Sequence, residues 1–216
     1  MLSKIALCAA LISTSLCAQS RRDNARGVPG RFDYYVLSLS WSPQHCSTPA
    51  GDRDRYQCAG SRQFGFVAHG LWPQFERGWP QFCTQDRGPD QATIDQMLPI
   101  MPSAGLIRHE WSKHGSCSGL GVSQYFAKVR QAYQSVKIPP EYQAPLKNVM
   151  VAPRKLKERF LEVNRVGDAS NLAVLCSGRF LQEVRVCLDK NLKPRACGTD
   201  VRDSCRVPQM IMQPVR

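Results

Sequence analysis

Eight cysteines outside the leader constrain this chain more than any other feature. The full sequence has 10, and Cys8 and Cys17 fall in MLSKIALCAALISTSLCAQS, where one lysine precedes an apolar run from Ile5 to Leu16 and small residues follow. Residues 1–20 read as a secretory signal peptide, too short for a membrane span and without a stop-transfer flank. Cleavage fits best after Ala18-Gln19-Ser20. Leu16 stands where a lipoprotein signal at Cys17 would need a small residue, so no membrane anchor is expected. The remaining cysteines, 46, 58, 83, 117, 176, 187, 197 and 205, are even in number in an exported chain, which argues for four disulfides made in an oxidising compartment. Number and spacing alone leave about 105 pairings open. No C-x-x-C pair is present, which removes a zinc ribbon.

The rest of the chain suits one domain with its own core, with residues 21–31 as a polar, basic lead-in and 32–216 as a single domain. Lys and Arg number 29 against 17 acids, a net charge of +12, which favours a polyanionic partner without naming one. Phe32 to Trp41 is rich in aromatics and β-formers and reads as a buried strand; Phe64 to Ala68 reads as a second that delivers His69-Gly70 to its end. Cys46 to Cys58 brackets a polar loop, and Pro73 to Pro89 is read as loop. Helices are expected over 91–98, 106–115, 123–136 with Ser123 as N-cap, and 153–163. Leu172 to Cys176 and Phe180 to Leu188 read as a hairpin turning at Ser177-Gly178. Helix and strand mix without βαβ alternation. The expected class is α+β, an antiparallel sheet packed with helices and stapled by disulfides.

The stretch HEWSKHGSC, His109 to Cys117, concentrates the chemistry. Zinc-protease histidines sit four residues apart on a helix; His109 and His114 are five apart, which separates them by about 140°. One ion does not easily take both rings. The pairs that stack at four-residue spacing are His109 with Lys113 and Glu110 with His114, while Trp111 and Ser112 point away as an anchor. With His69, three of the 4 histidines then lie in two tight polar contexts. Two imidazoles serve as acid and base near ambient pH, and a lysine between them meets a developing oxyanion. That set, without metal spacing and on a basic chain, suits phosphodiester cleavage through a neighbouring hydroxyl, which RNA has and DNA lacks.

These residues also carry a resemblance. FVAHGLWPQ (Phe66–Gln74) and HEWSKHGSC resemble the two catalytic segments of the ribonuclease T2 family of secreted, mostly acid-active RNases, and FDYYVLSLSWSPQHC resembles its opening strand. The likeness runs from Phe32 to about Cys205. It implies an α+β endoribonuclease that cleaves single-stranded RNA through 2′,3′-cyclic phosphates with little base specificity, and needs no cofactor or metal. By the same resemblance His69 is the general acid, His114 the general base, Glu110 and Lys113 steady the phosphorane, and His109 binds phosphate. Trp72 offers a stacking surface for a base and Gln74 a hydrogen bond to a base edge, although Trp72 also fits a packed indole before Pro73. Leu39 and Ser40 stand where plant members carry glutamines of a base pocket, so no base preference carries over. The resemblance further implies the pairs Cys46–Cys58, Cys83–Cys117, Cys176–Cys205 and Cys187–Cys197. Trp41 and Trp111 are read as core, and His45 as a solvated loop residue.

No Asn-x-Ser/Thr acceptor occurs, which with the leader points to a secreted or bacterial periplasmic protein. A monomer with no obligatory protein partner is expected. The competing reading is a non-catalytic RNA- or partner-binding protein of the same fold. A membrane-active protein would need a basic helix face, and 123–136 offers only Lys128 and Arg130.

Overall fold

The computed structural model describes residues 27–165 and 168–215; the expected signal peptide and most of the lead-in lie outside the described residues. β1 (Tyr34–Trp41) alternates sides through its length. Tyr35, Leu37, Leu39 and Trp41 enter the main core, while Tyr34 and Val36 join a smaller cluster on the opposite face. Antiparallel partners flank it on both sides: β2 (Phe66–Gln74) and β5 (Phe180–Leu188). β5 also pairs with β4 (Leu172–Ser177), closing the expected hairpin at Gly178, whose φ of +58° suits a residue without Cβ. Two three-residue strands, β3 (Val149–Val151) and β6 (Met210–Met212), complete a six-stranded sheet, with one parallel pairing between β5 and β6. Strands that short carry no readable periodicity, and the sequence reading did not include them.

β2 runs six residues beyond Ala68, where the expected strand stopped. Gly70 and Pro73 argue locally against a strand, yet β2 lies at the sheet edge, where proline's missing N–H costs no ladder bond. The helices α3 (Gln91–Met97), α4 (Ala104–Lys113), α5 (Val122–Ser135) and α6 (Pro153–Asn164) follow the expected order. α4 begins and ends two residues earlier than read. Ser103 caps it by accepting from the Leu106 N–H, and the chain tightens into a 3₁₀ turn at Gly115–Cys117. For α5 the N-cap is Gly121 rather than Ser123; the Gln124 side chain reaches back to its N–H. A short helix, α1 (Ser42–Cys46), leads into the expected loop between Cys46 and Cys58, which itself holds a 3₁₀ turn (Gly51–Arg53) and a second short helix, α2 (Arg55–Cys58).

α5 fastens β2 from the core side. The hydroxyls of Tyr125 and Tyr133 donate to the carbonyls of Leu71 and Phe66, both at 2.9 Å. Trp111, buried beside Tyr125, anchors α4 in the same core, and Trp41 is fully enclosed. A Cβ on Gly115 would meet the Trp111 and Tyr125 rings at 2.7 Å, so only glycine lets the turn after α4 lie this close. Four disulfides join Cys46 to Cys58, Cys83 to Cys117, Cys176 to Cys205 and Cys187 to Cys197. Among the described residues no helix is long and apolar enough to cross a membrane.

Candidate active site

A break in strand register presents the first histidine. Gly70 pairs with Ser38 and Ala68 with Leu39, which leaves His69 as the extra residue of a β-bulge. Ala68 and Leu71, three residues apart, are both core, which strict alternation forbids; the bulge absorbs the mismatch. His69 Nδ1 lies 3.0 Å from Ser40 Oγ on β1. Its Nε2 lies 3.6 Å from Glu110 Oε1 on α4.

α4 supplies the facing wall. Glu110 is buried, Lys113 half-buried and His109 exposed, while His114, the residue that ends the helix, is buried. All four line one cavity of about 290 Å³ together with His69, Trp72 and Gln74. Trp72 joins the two motifs. Its indole N–H donates to Glu110 Oε2 at 2.6 Å, its ring stacks on His114 at 5.2 Å between centroids, and His69 meets it edge-on at 5.6 Å. Trp72 is thus a strut that also lines the cavity. Gly70 makes the junction possible, because a Cβ there would come 2.0 Å from Glu110 Oε2. Seven residues named from sequence for chemistry or base contact, on two separate elements, come together here.

Burial sets the charge states. His114 is driven down to about 3 by desolvation, helped by Lys113, His109, His69 and Arg185. Its Nδ1 is enclosed without a hydrogen-bond partner, so proton exchange falls to Nε2. Glu110 is pushed up to about 8 by burial, against the pull of the Trp72 hydrogen bond and Lys113 and with Glu183 adding to the rise. Desolvation lowers His69 while Glu183 opposes it, and Arg185, His109 and His45 add to the lowering. His109 is lowered by partial burial and then by Lys113.

Several lining residues escaped the sequence reading. β5 contributes Glu183 and Arg185, opposite Ser40 and Ser38, and the exposed indole of Trp79 stands over the same cavity. The alternation of β5 marks its outward positions, but nothing local says what they face. His45 is not simply solvated. The Cys46–Cys58 bridge draws α1 and α2 together, placing its Nε2 3.4 Å from Asp54 Oδ2. It lines a second cavity, of about 500 Å³, which meets the first at His69, His109 and Glu183. Among the described residues no three His, Cys, Asp or Glu side chains converge where a metal ion would sit.

The comparisons with known proteins agree with this geometry. A ribonuclease from Aeromonas hydrophila is 36% identical over 199 residues, covering 89% of this chain and 90% of its own length. Ribonuclease I of Escherichia coli is 30% identical over 148 residues, half of this chain and 55% of that one. Among solved structures, an RNase-related protein from Calystegia sepium superposes with a TM-score of 0.68 at 23% identity, over 85% of this chain and 98% of its own. The sequence pattern of the Ribonuclease T2 family matches residues 32–197, most of the chain and both histidine segments, and the chain belongs to that family.

Proposed function

We propose that this endoribonuclease cleaves single-stranded RNA by attack of the 2′-hydroxyl on the adjacent phosphorus, with His114 as general base and His69 as general acid. The observation that carries the reading is the Trp72 junction, which holds both imidazoles against one indole and beside one cavity. His114, neutral above about pH 3, accepts the hydroxyl proton at Nε2. His69 in its protonated form spends Nδ1–H on Ser40 Oγ and delivers the Nε2 proton to the departing 5′-oxygen. Charge building on phosphorus meets Lys113 and His109. Glu110 keeps its proton up to about pH 8, so its carboxyl donates to a phosphate oxygen where a carboxylate would repel it. Trp72 holds Oε2, leaving Oε1 for the substrate. The two cavities meet at His69 and His109, so a strand laid through both brings an internal phosphate to the histidines. Trp79, at the rim, offers a stacking face for a base.

The same reading makes the protein an exported monomer without a protein partner. Export is supported by the leader sequence and by four disulfides, which persist in oxidising compartments.

The test is mass spectrometry of the first products from a short RNA, run with EDTA across pH. The expected ends are a 2′,3′-cyclic phosphate and a free 5′-hydroxyl, with no cleavage of matching DNA or 2′-O-methyl RNA. The rate should peak in the acid range. His114 becomes available as base above about pH 3, while His69, lowered from its ordinary 6.5, loses its acid proton below neutrality. Products bearing 5′-phosphates, or a rate climbing into alkaline pH, would rule the mechanism out.

A further inference from the structure

Strand β5 brings a guanidinium into the cavity that neither histidine segment contains. Arg185 sits opposite Ser38 on β1, which on its other side pairs with Gly70, so the arginine shares the outward face of the sheet with the bulge that carries His69. It lines the same cavity as His69, His109, Lys113 and His114. Its guanidinium carbon lies 5.0 Å from the centroid of Trp72, the ring that both catalytic histidines touch. Glu183 Oε1 accepts from Nε at 2.6 Å, and among the described residues that is the one hydrogen bond the guanidinium makes. The two terminal amino groups keep their N–H donors unspent although the side chain is only 25% exposed.

We propose that Arg185 is a phosphate-binding residue of the RNA site, directing its terminal amino groups at the non-bridging oxygens of the scissile phosphate. The inference rests on the ribonuclease reading above and adds a fourth donor group to Lys113, His109 and Glu110. Three observations favour it over a purely structural ion pair. A pair this enclosed, with Glu183 only 7% exposed, costs desolvation that a single hydrogen bond does not repay, so stability alone gives little reason for it. Arginine presents five donors in a planar fork matched to phosphate oxygens, and Glu183 occupies only the Nε position. The strand is central and paired on both sides, so the fork is held before substrate arrives. Glu183 cancels much of the arginine's field at a distance. What remains is directional donation at contact range, a contribution distinct from the point charge of Lys113.

The experiment compares wild type with Arg185→Ala and Arg185→Lys, each first checked for a native circular dichroism spectrum. It measures kcat and KM on a short RNA and inhibition by inorganic phosphate. Removing one such donor should lower kcat/KM of R185A by about 10²–10³-fold. R185K, which keeps the charge and loses the fork, should still lose tenfold or more, and phosphate should inhibit both variants more weakly than wild type. Guanidinium chloride at tens of millimolar should restore part of the R185A rate, where sodium chloride at equal ionic strength does not. A structural role would move Tm and leave phosphate inhibition and rescue unchanged. If R185A does not fold, R185K decides alone. Wild type cleaving RNA while the folded variants stay within threefold of it, with unchanged phosphate inhibition, would overturn the role of Arg185. Wild type leaving RNA intact would instead overturn the ribonuclease reading itself.

Discussion

Ser40, noted in sequence only for its place beside Leu39, is the hydroxyl that meets His69, the proposed general acid. Its Oγ lies 3.0 Å from His69 Nδ1, and accepting a proton there favours the imidazolium over the neutral ring. The other groups that act on His69 oppose one another: Glu183 holds the proton, while Arg185, His109 and His45 push it off. Removing the acceptor with Ser40→Ala should therefore lower the His69 pKa further. The alkaline limb of the pH–rate profile should move to lower pH, and kcat/KM at the optimum should fall roughly tenfold, the worth of a hydrogen bond to a charged group. An unmoved alkaline limb would mean that Ser40 does not hold the acid. The residues of this site legible in sequence were the ones inside the two histidine segments. Ser40 was visible only as a departure from the plant pattern.

At the scale of elements, the site is a junction between an edge strand and the last turn of a helix, held from outside by a covalent tie. Cys117 closes the 3₁₀ turn three residues after His114, and its bond to Cys83 fixes that turn to the loop after β2. Further contacts support the tie: the Cys83 N–H donates to Ser116 Oγ, and the Phe82 N–H to the Lys113 carbonyl. Replacing both Cys83 and Cys117 by alanine should cost roughly 3–4 kcal/mol of stability, because the bridge closes a 34-residue separation. It should also lower kcat by letting the end of α4 fray. Urea unfolding and initial rates read both effects; a loss under about 1 kcal/mol with normal kcat would show the helix end is fixed by packing alone. The amphipathic patterns of α4, α5 and α6 were legible because a helix face repeats within a few residues. The extent of β2 was not, since its second half is a strand only by pairing with β1 across Gly70 and Pro73.

For the whole molecule, the site is a place where folding works against ionisation. Glu110 keeps its proton in the folded state up to about pH 8, whereas its ordinary value is 4.5. The stability associated with this group is full below the lower value and declines as pH rises to the upper one. His114 has the opposite slope. Its folded value is depressed to about 3 from 6.5, so its share is full above 6.5 and declines as pH falls towards 3. Glu110→Gln keeps an acceptor for Trp72 and removes the first cost. Its Tm should exceed wild type by a margin that grows from pH 4.5 to reach roughly 3 °C or more at pH 8, while activity falls. A margin that stays flat across that range would show Glu110 ionised in the folded protein. The sequence alone determined the reactive groups, the main helices and the hairpin, since each is written in spacing over a few residues. Tertiary structure decided that His69 sits on a bulge, that Glu110 is enclosed enough to stay protonated, and that Glu183 and Arg185 face the histidines. Those depend on register between strands far apart in the chain, and on burial by elements that share no local pattern with the residues they enclose.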